Sequence, residues 1–194
     1  MKLNRFSSWL KMNAITVLLA GFVLILFFSP NSKAWLLQKL VSVGLFKAEI
    51  KKEGMPIQPE TISFSYTNKA GKTASTADLK GKIIFINFWA SWCPPCQAEM
   101  PSIDALYKKL EKDDRFVFLF INEDDDKQKA KNYIEKHQYS IPLYSRSGNI
   151  PNEIFSGSLP TTIVINKEGK IVLKHEGMAG YDTDAFMKQL KDLL

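Results

Sequence analysis

The chain has 194 residues, 45% of them hydrophobic and 24% charged. That length carries one domain and a tail, and the composition excludes whole-chain disorder and collagen-like repeats. The net charge of +6 is unevenly spread: residues 1–46 hold five cations and no acid, which leaves 21 cations against 20 acids from residue 47 onward. A body so close to neutral offers no basic field for nucleic acid.

Met12 to Ser32 is an uncharged run of 21 residues. As a helix it would reach about 31 Å, roughly one hydrocarbon core. Lys2, Arg5 and Lys11 ahead of it favour an N-terminus left in the cytoplasm, so the remainder is expected on the far side of the membrane. A cleaved signal peptide is the rival reading, since Ser32-Lys33-Ala34 fits a small-x-small cleavage rule. The length of the run favours a retained anchor. So does the helical apolar spacing through Trp35-Leu36-Leu37, Leu40-Val41, Val43 and Leu45-Phe46, which suits a segment resting at the membrane interface. The expected division is an anchor over 1–34, an amphipathic segment and linker over 35–58, and a folded domain over 59–194.

Within that domain, Ile62 to Tyr66 alternates with period two and reads as a strand. Asn68 to Lys72 is a turn, and Thr73 to Leu79 a hairpin return. Ile83 to Trp89 is nearly continuously apolar, as a strand covered on both faces requires. Cys93 to about Lys112 has helical spacing, with a kink expected at Pro101. Phe116 to Ile121 is a second buried strand, Asp126 to His137 a helix, and Ile141 to Tyr144 a short strand. Ser145 to Ser158 reads as a polar loop. Thr161 to Ile165 and Ile171 to Lys174 form a hairpin, and a helix capped at Asp182 or Thr183 ends the chain. Strands alternating with helices and then a C-terminal hairpin give an α/β sandwich with a mixed central sheet.

The two cysteines, Cys93 and Cys96, sit in Trp92-Cys93-Pro94-Pro95-Cys96. A structural zinc site needs four ligands, and the only histidines, His137 and His175, are far apart. Covalent haem attachment needs His after the second cysteine, where Gln97 stands. A disulfide closing two residues removes little unfolded-chain entropy, so a purely stabilising role is a poor fit. A redox dithiol at a strand-to-helix junction remains. First-turn amides of the helix would favour the Cys93 thiolate. Cys93 is then the exposed nucleophile and Cys96, one turn deeper, the resolving thiol. Pro94 and Pro95 are tolerated where amides lack intrahelical partners. No metal and no cofactor is called for.

Phe88-Trp89-Ala90-Ser91-Trp92-Cys93-Pro94-Pro95-Cys96 resembles the active-site strand and turn of thioredoxin-fold proteins. It is most similar to the membrane-anchored TlpA/ResA-like thiol–disulfide oxidoreductases. Gly81-Lys82, Glu99-Met100-Pro101 and the stretch from Leu159-Pro160-Thr161 to Gly169 match the same group, and the resemblance spans about residues 60–194. It implies a thioredoxin-like fold with a mixed sheet flanked by helices behind an N-terminal transmembrane helix. It implies a cis proline at Pro160 facing the cysteine pair, with Trp92, Leu159, Pro160 and Thr161 as substrate contacts. Thioredoxins carry a buried Asp six residues before the first cysteine; Asn87 stands there and cannot accept a proton. Glu99 matches a family glutamate near the buried thiol and is the expected proton acceptor for Cys96; the alternative is a solvent-facing helix residue. The resemblance further implies a reductant of protein disulfides outside the cytoplasm, fed by a transmembrane thiol donor, often with apocytochrome c as substrate.

Three other functions compete. The same fold can run as an oxidase or isomerase. A peroxidase would need Pro-x-x-x-Thr-x-x-Cys, and neither cysteine has it. A redox-inactive binding module would not need both cysteines and Pro160. Glu123 to Asp126 reads as a loop and helix-start charge, since acids are favourable there. Ser145 to Ser158 is either a substrate-contacting loop or an idle one.

Overall fold

The computed structural model describes residues 13–28, 30–50, 63–68 and 70–194. Helix α1 spans Ala14–Phe28 and helix α2 spans Pro30–Ser42. The domain follows as β1 (Ser65–Thr67), β2 (Thr73–Ser75), a 3-10 turn (Thr76–Leu79), β3 (Ile83–Trp89) and α3 (Pro94–Leu110). Then come β4 (Phe116–Asn122), α4 (Lys127–His137), β5 (Tyr144–Ser147), β6 (Thr161–Ile165), β7 (Ile171–Glu176) and α5 (Asp184–Lys191). The seven strands form one mixed sheet in the order β2-β1-β5-β4-β3-β6-β7. Strand β3 runs parallel to β4 and antiparallel to β6, so the strand leading to the cysteines is central. The expected start of the domain near Ile57–Thr61 lies outside the described residues.

The period-two pattern of β3 divides the core. Ile83, Phe85 and Trp89 face the helices, with Met100, Ile103, Leu106, Ala130, Phe186 and Leu190. Ile84, Ile86 and Phe88 face the opposite layer of Phe64, Ile150, Ile154 and Phe155, where Phe88 stacks on Phe155 at 4.4 Å. Asn87 therefore lands on the helix-facing side of a fully buried strand. Thr162, two residues before Val164 on β6, shares that side.

Several expectations shift. The first strand, expected over Ile62 to Tyr66, forms at Ser65–Thr67. The strand expected over Ile141 to Tyr144 forms at Tyr144–Ser147 instead, taking the first residues of the expected polar loop. Pro142 has no amide to give a ladder, and pairing begins past it, with Tyr144 opposite Ile121. The uncharged N-terminal run does not form one continuous described helix. Pro30 opens a new helix, as suits a residue that cannot continue the preceding one. Helix α1 has 15 residues, about 22 Å at 1.5 Å per residue. No helix among the described residues is long and apolar enough to cross a membrane. The described side chains of α1 nonetheless face outward, with Ile15, Leu18, Leu19, Phe22, Val23 and Leu24 all exposed.

Helix α2 packs against α3. Ala34 and Val41, and Ala48 beyond the helix, are buried against the domain, and Ala48 belongs to the main core cluster. Trp35, Leu36, Val43, Leu45 and Phe46 lie on the outward side. The amphipathic segment thus has one face on the redox domain and a second apolar face free of it.

Candidate functional site

The central strand β3 ends at Trp89, and Ala90 to Trp92 turn the chain into α3. Asp124 fixes this turn: its carboxylate accepts the Ser91 amide at 3.1 Å, the Ser91 hydroxyl at 3.2 Å and the Asn122 amide at 2.9 Å. Gln97 Nε2 donates to the Ser91 carbonyl from the first turn of the helix at 2.5 Å. Ser91 is therefore held from both sides. Within the expected acidic run, Asp124 has a defined structural task that its sequence context did not reveal.

Cys93 is the N-cap of α3, and Pro94 and Pro95 occupy its first two positions. The two cysteines are joined as a disulfide. The Cys96 amide points at Cys93 Sγ, 3.3 Å away, which is the geometry that favours a thiolate there once the bond is reduced. Cys93 retains 4% of its surface and Cys96 none. The order of access is the expected one, but Cys93 is far less open than an exposed nucleophile. Trp92 beside it is 63% exposed, while Trp89 is wholly buried.

Glu99 lies three residues after Cys96, on the same face of the helix. It is completely buried, so the solvent-facing alternative falls. Asn87 Nδ2 donates to its Oε1 at 2.7 Å and the Ala179 amide donates to its Oε2 at 3.2 Å. Asn87 Nδ2 also donates to Thr162 Oγ1 at 2.9 Å. Burial pushes the Glu99 carboxyl up to about 8, with the Asn87 and Ala179 hydrogen bonds pulling the other way. Tyr181 is fully buried beside this acid and is raised well above its ordinary value, chiefly by burial and then by the Glu99 charge. The sequence singled out Asn87 only as a residue that cannot take a proton. What local pattern could not reveal is that its amide anchors Glu99, or that the 179–181 backbone arrives from 80 residues away.

The Leu159-Pro160 peptide bond is cis. Strand β6 starts directly after it, with Thr161 opposite Phe88 near the end of β3. Pro160 is thereby placed at the sheet end where the cysteine turn begins. The Pro160 carbonyl accepts the Gly177 amide at 2.8 Å. Leu159 is half-buried. Thr161 is fully buried and its hydroxyl donates to the Ser158 carbonyl at 2.8 Å, so its side chain is engaged inward.

The arrangement is a buried disulfide with a buried acid of raised proton affinity three residues past Cys96 on the same helix. Such a pair can exchange two electrons and a proton with an incoming disulfide or dithiol. The model of the Redoxin family matches residues 52–188. A thiol-disulfide oxidoreductase ResA of Bacillus cereus is 36% identical over 124 residues, covering 63% of this chain and 71% of that one. The ResA of Halalkalibacterium halodurans is 30% identical over 134 residues, 68% of this chain and 76% of that one. Among solved structures, the exposed lipoprotein thioredoxin of Streptococcus pneumoniae is 31% identical with a TM-score of 0.53, covering 67% of this chain and 98% of that one. Together with the fold and the cysteine pair, these matches place the chain in the Redoxin family, among its ResA-type thiol–disulfide oxidoreductases.

Proposed function

We propose that this oxidoreductase works as a reductant of protein disulfides outside the cytoplasm, held to the membrane by its N-terminal segment. The observation that carries the chemistry is the Cys93–Cys96 pair with Glu99 fully buried three residues further along the same helix. In the reduced protein, the Cys93 thiolate attacks a substrate disulfide. A bond forms from Cys93 Sγ to one substrate sulfur, and the other substrate sulfur leaves as a thiolate. Cys96 then gives its proton to the Glu99 carboxylate and attacks Cys93 Sγ. The second substrate thiolate leaves, and two electrons have passed from the dithiol to the substrate. On re-reduction by a donor thiol the steps reverse. With its carboxyl raised to about 8 in the oxidised protein, Glu99 is mostly protonated at neutral pH. It is thus ready to return a proton to Cys96 as that sulfur leaves.

Trp92, exposed beside the pair, and Leu159-Pro160-Thr161 at the facing strand start are the proposed substrate contacts. The outward apolar side chains of α1, the cations before it and the outward face of α2 support a membrane anchor with the domain on the far side. An exported compartment does not re-reduce thiols, so a transmembrane thiol donor is required. Apocytochrome c is the proposed substrate, on the ResA resemblance. The test is dithiothreitol-driven insulin reduction by the full chain in detergent. Turnover that vanishes in Cys93→Ser supports the reductase reading, and a negligible wild-type rate would return the chain to a redox-inactive role. Thiol labelling by a membrane-impermeant reagent tests the location: a reduced Cys93 that is labelled after detergent lysis but not in intact cells would contradict it.

A further inference from the structure

Three consecutive amides after β7 bind three different partners. The Ala179 amide donates to Glu99 Oε2 at 3.2 Å, the Gly180 amide to the Phe46 carbonyl at 3.0 Å, and the Tyr181 amide to Ser102 Oγ at 3.3 Å. Residues 179–181 are therefore a bracket between the active-site helix and the segment that follows α2. The bracket is closed from the outside. Lys47 and Gly180 form a parallel bridge, and Ile50 N–H donates to Gln189 Oε1 on α5 at 3.0 Å. Val41 lies over Gly180: a Cβ built there would stand 3.4 Å from Val41 Cγ1 and 3.6 Å from the Phe46 carbonyl oxygen. A Cβ at this position would make only ordinary van der Waals contact, so these distances show that the segment is packed directly against the bracket. On the inner side, the active-site helix is buried nearly all round from Ala98 to Asp104, with the sheet on one side and α2 packed against it as well.

We propose that the segment 41–50 is a positioning element for the redox site. By fixing Gly180 it holds the Ala179 amide on the Glu99 carboxylate, and its seating on the domain governs how readily Glu99 takes and releases its proton. The proposal rests on Glu99 being the proton partner of Cys96. The groups that bear on Glu99 are Asn87 from β3 and, from the bracket, the Ala179 amide and Tyr181; Asn87 carries no charge. A hydrogen bond from an amide favours the charged carboxylate. Loosening the segment removes one of the two donors on Glu99 and favours the protonated acid. Because the segment leads directly back to α2 and the apolar α1, whatever tugs on that end of the chain reaches the proton acceptor through Phe46 and Gly180.

The test uses the full chain in detergent micelles, oxidised. The readout is the pH midpoint of the Glu99 carboxyl infrared band, identified by its loss in Glu99→Gln. Val41→Asn and Gln189→Leu each loosen the segment from a different end without adding a charge near Glu99. Each is expected to raise the midpoint, by up to about one pH unit for a lost amide donor. A midpoint unchanged in both variants overturns the proposal. A fall also overturns it, since the segment would then be a water seal and not an amide positioner. If Val41→Asn does not fold, Gln189→Leu decides. Insulin reduction by the wild type is followed in parallel. Its absence would sink the reductase reading, while the infrared midpoints would still report on the positioning claim.

Discussion

The Asn87 amide meets the Glu99 carboxylate at 2.7 Å inside a site closed to water, and the same amide nitrogen also reaches Thr162. A strand residue on the helix-facing side of β3 thus fixes the acid carried three residues past Cys96 on α3. That carboxyl is held by the sheet as well as by the helix that carries it.

Glu99 makes stability depend on pH in a stated direction. Its carboxyl is raised to about 8 when folded, from an ordinary 4.5. Between those values the native state binds more protons than the unfolded chain, so stability falls as pH rises and levels off beyond the upper one. Below the lower value both states are protonated and the effect is absent. The full swing is roughly 5 kcal/mol. Urea unfolding of the oxidised chain at mildly acidic and mildly alkaline pH should show this slope, and Glu99→Gln should flatten it. An equal slope in the variant would mean that Glu99 is not the titrating group.

Asn87→Asp sets a second carboxyl within hydrogen-bond distance of the first. Two such acids cannot both ionise freely, so the pair should titrate in two separated steps, one lower and one higher than Glu99 alone. Carbon-13 carboxyl shifts against pH would resolve them. One unsplit step at the wild-type position would show that the two side chains are not in contact.

Asp124→Ala removes the acceptor for the Ser91 amide, the Ser91 hydroxyl and Asn122. The donors left without partners should cost about 2–3 kcal/mol. The turn into Cys93 should also loosen, so the insulin-reduction rate should fall while the cysteines remain. Denaturant midpoint and rate are the measurements; a stability within error of wild type would mean the turn holds itself.

Cys96→Ser should stop the reaction halfway. Cys93 can still attack, but no inner thiol releases the product, so a mixed disulfide with substrate accumulates on Cys93. Non-reducing gels and mass spectrometry of the adduct read this. Cys93→Ser should give no adduct. Trapping by Cys93→Ser but not by Cys96→Ser would reverse the assigned roles.

Much of this site was legible because its signals are local. Cys93, Pro94 and Cys96 lie within one helical turn, Glu99 follows at helical spacing, and Ile83 to Trp89 announces a strand buried on both faces. The bounds of β3 and β6 agree with their apolar runs. What escaped depends on contacts distant in sequence. The Ala179 amide comes to Glu99 from the far side of the β6–β7 hairpin. Asp124 stands in an acidic run that looks solvated, yet it caps a turn 33 residues earlier. The strand at Tyr144 was misplaced because Ile141 and Leu143 carry the apolar signal while Pro142 blocks the ladder there. The stretch from Trp35 to Phe46 reads as an interface segment because much of it is apolar, and only packing shows that Val41, and Ala48 in the linker beyond, face the domain.

The reduction potential of the Cys93–Cys96 couple, measured on the full chain in detergent and equilibrated in thiol–disulfide buffers, tests the central claim most directly. A value near or below about −240 mV places the protein among reductants, as proposed here. A value near about −120 mV would mean that it hands disulfides to its partners, and the reductase reading would fall.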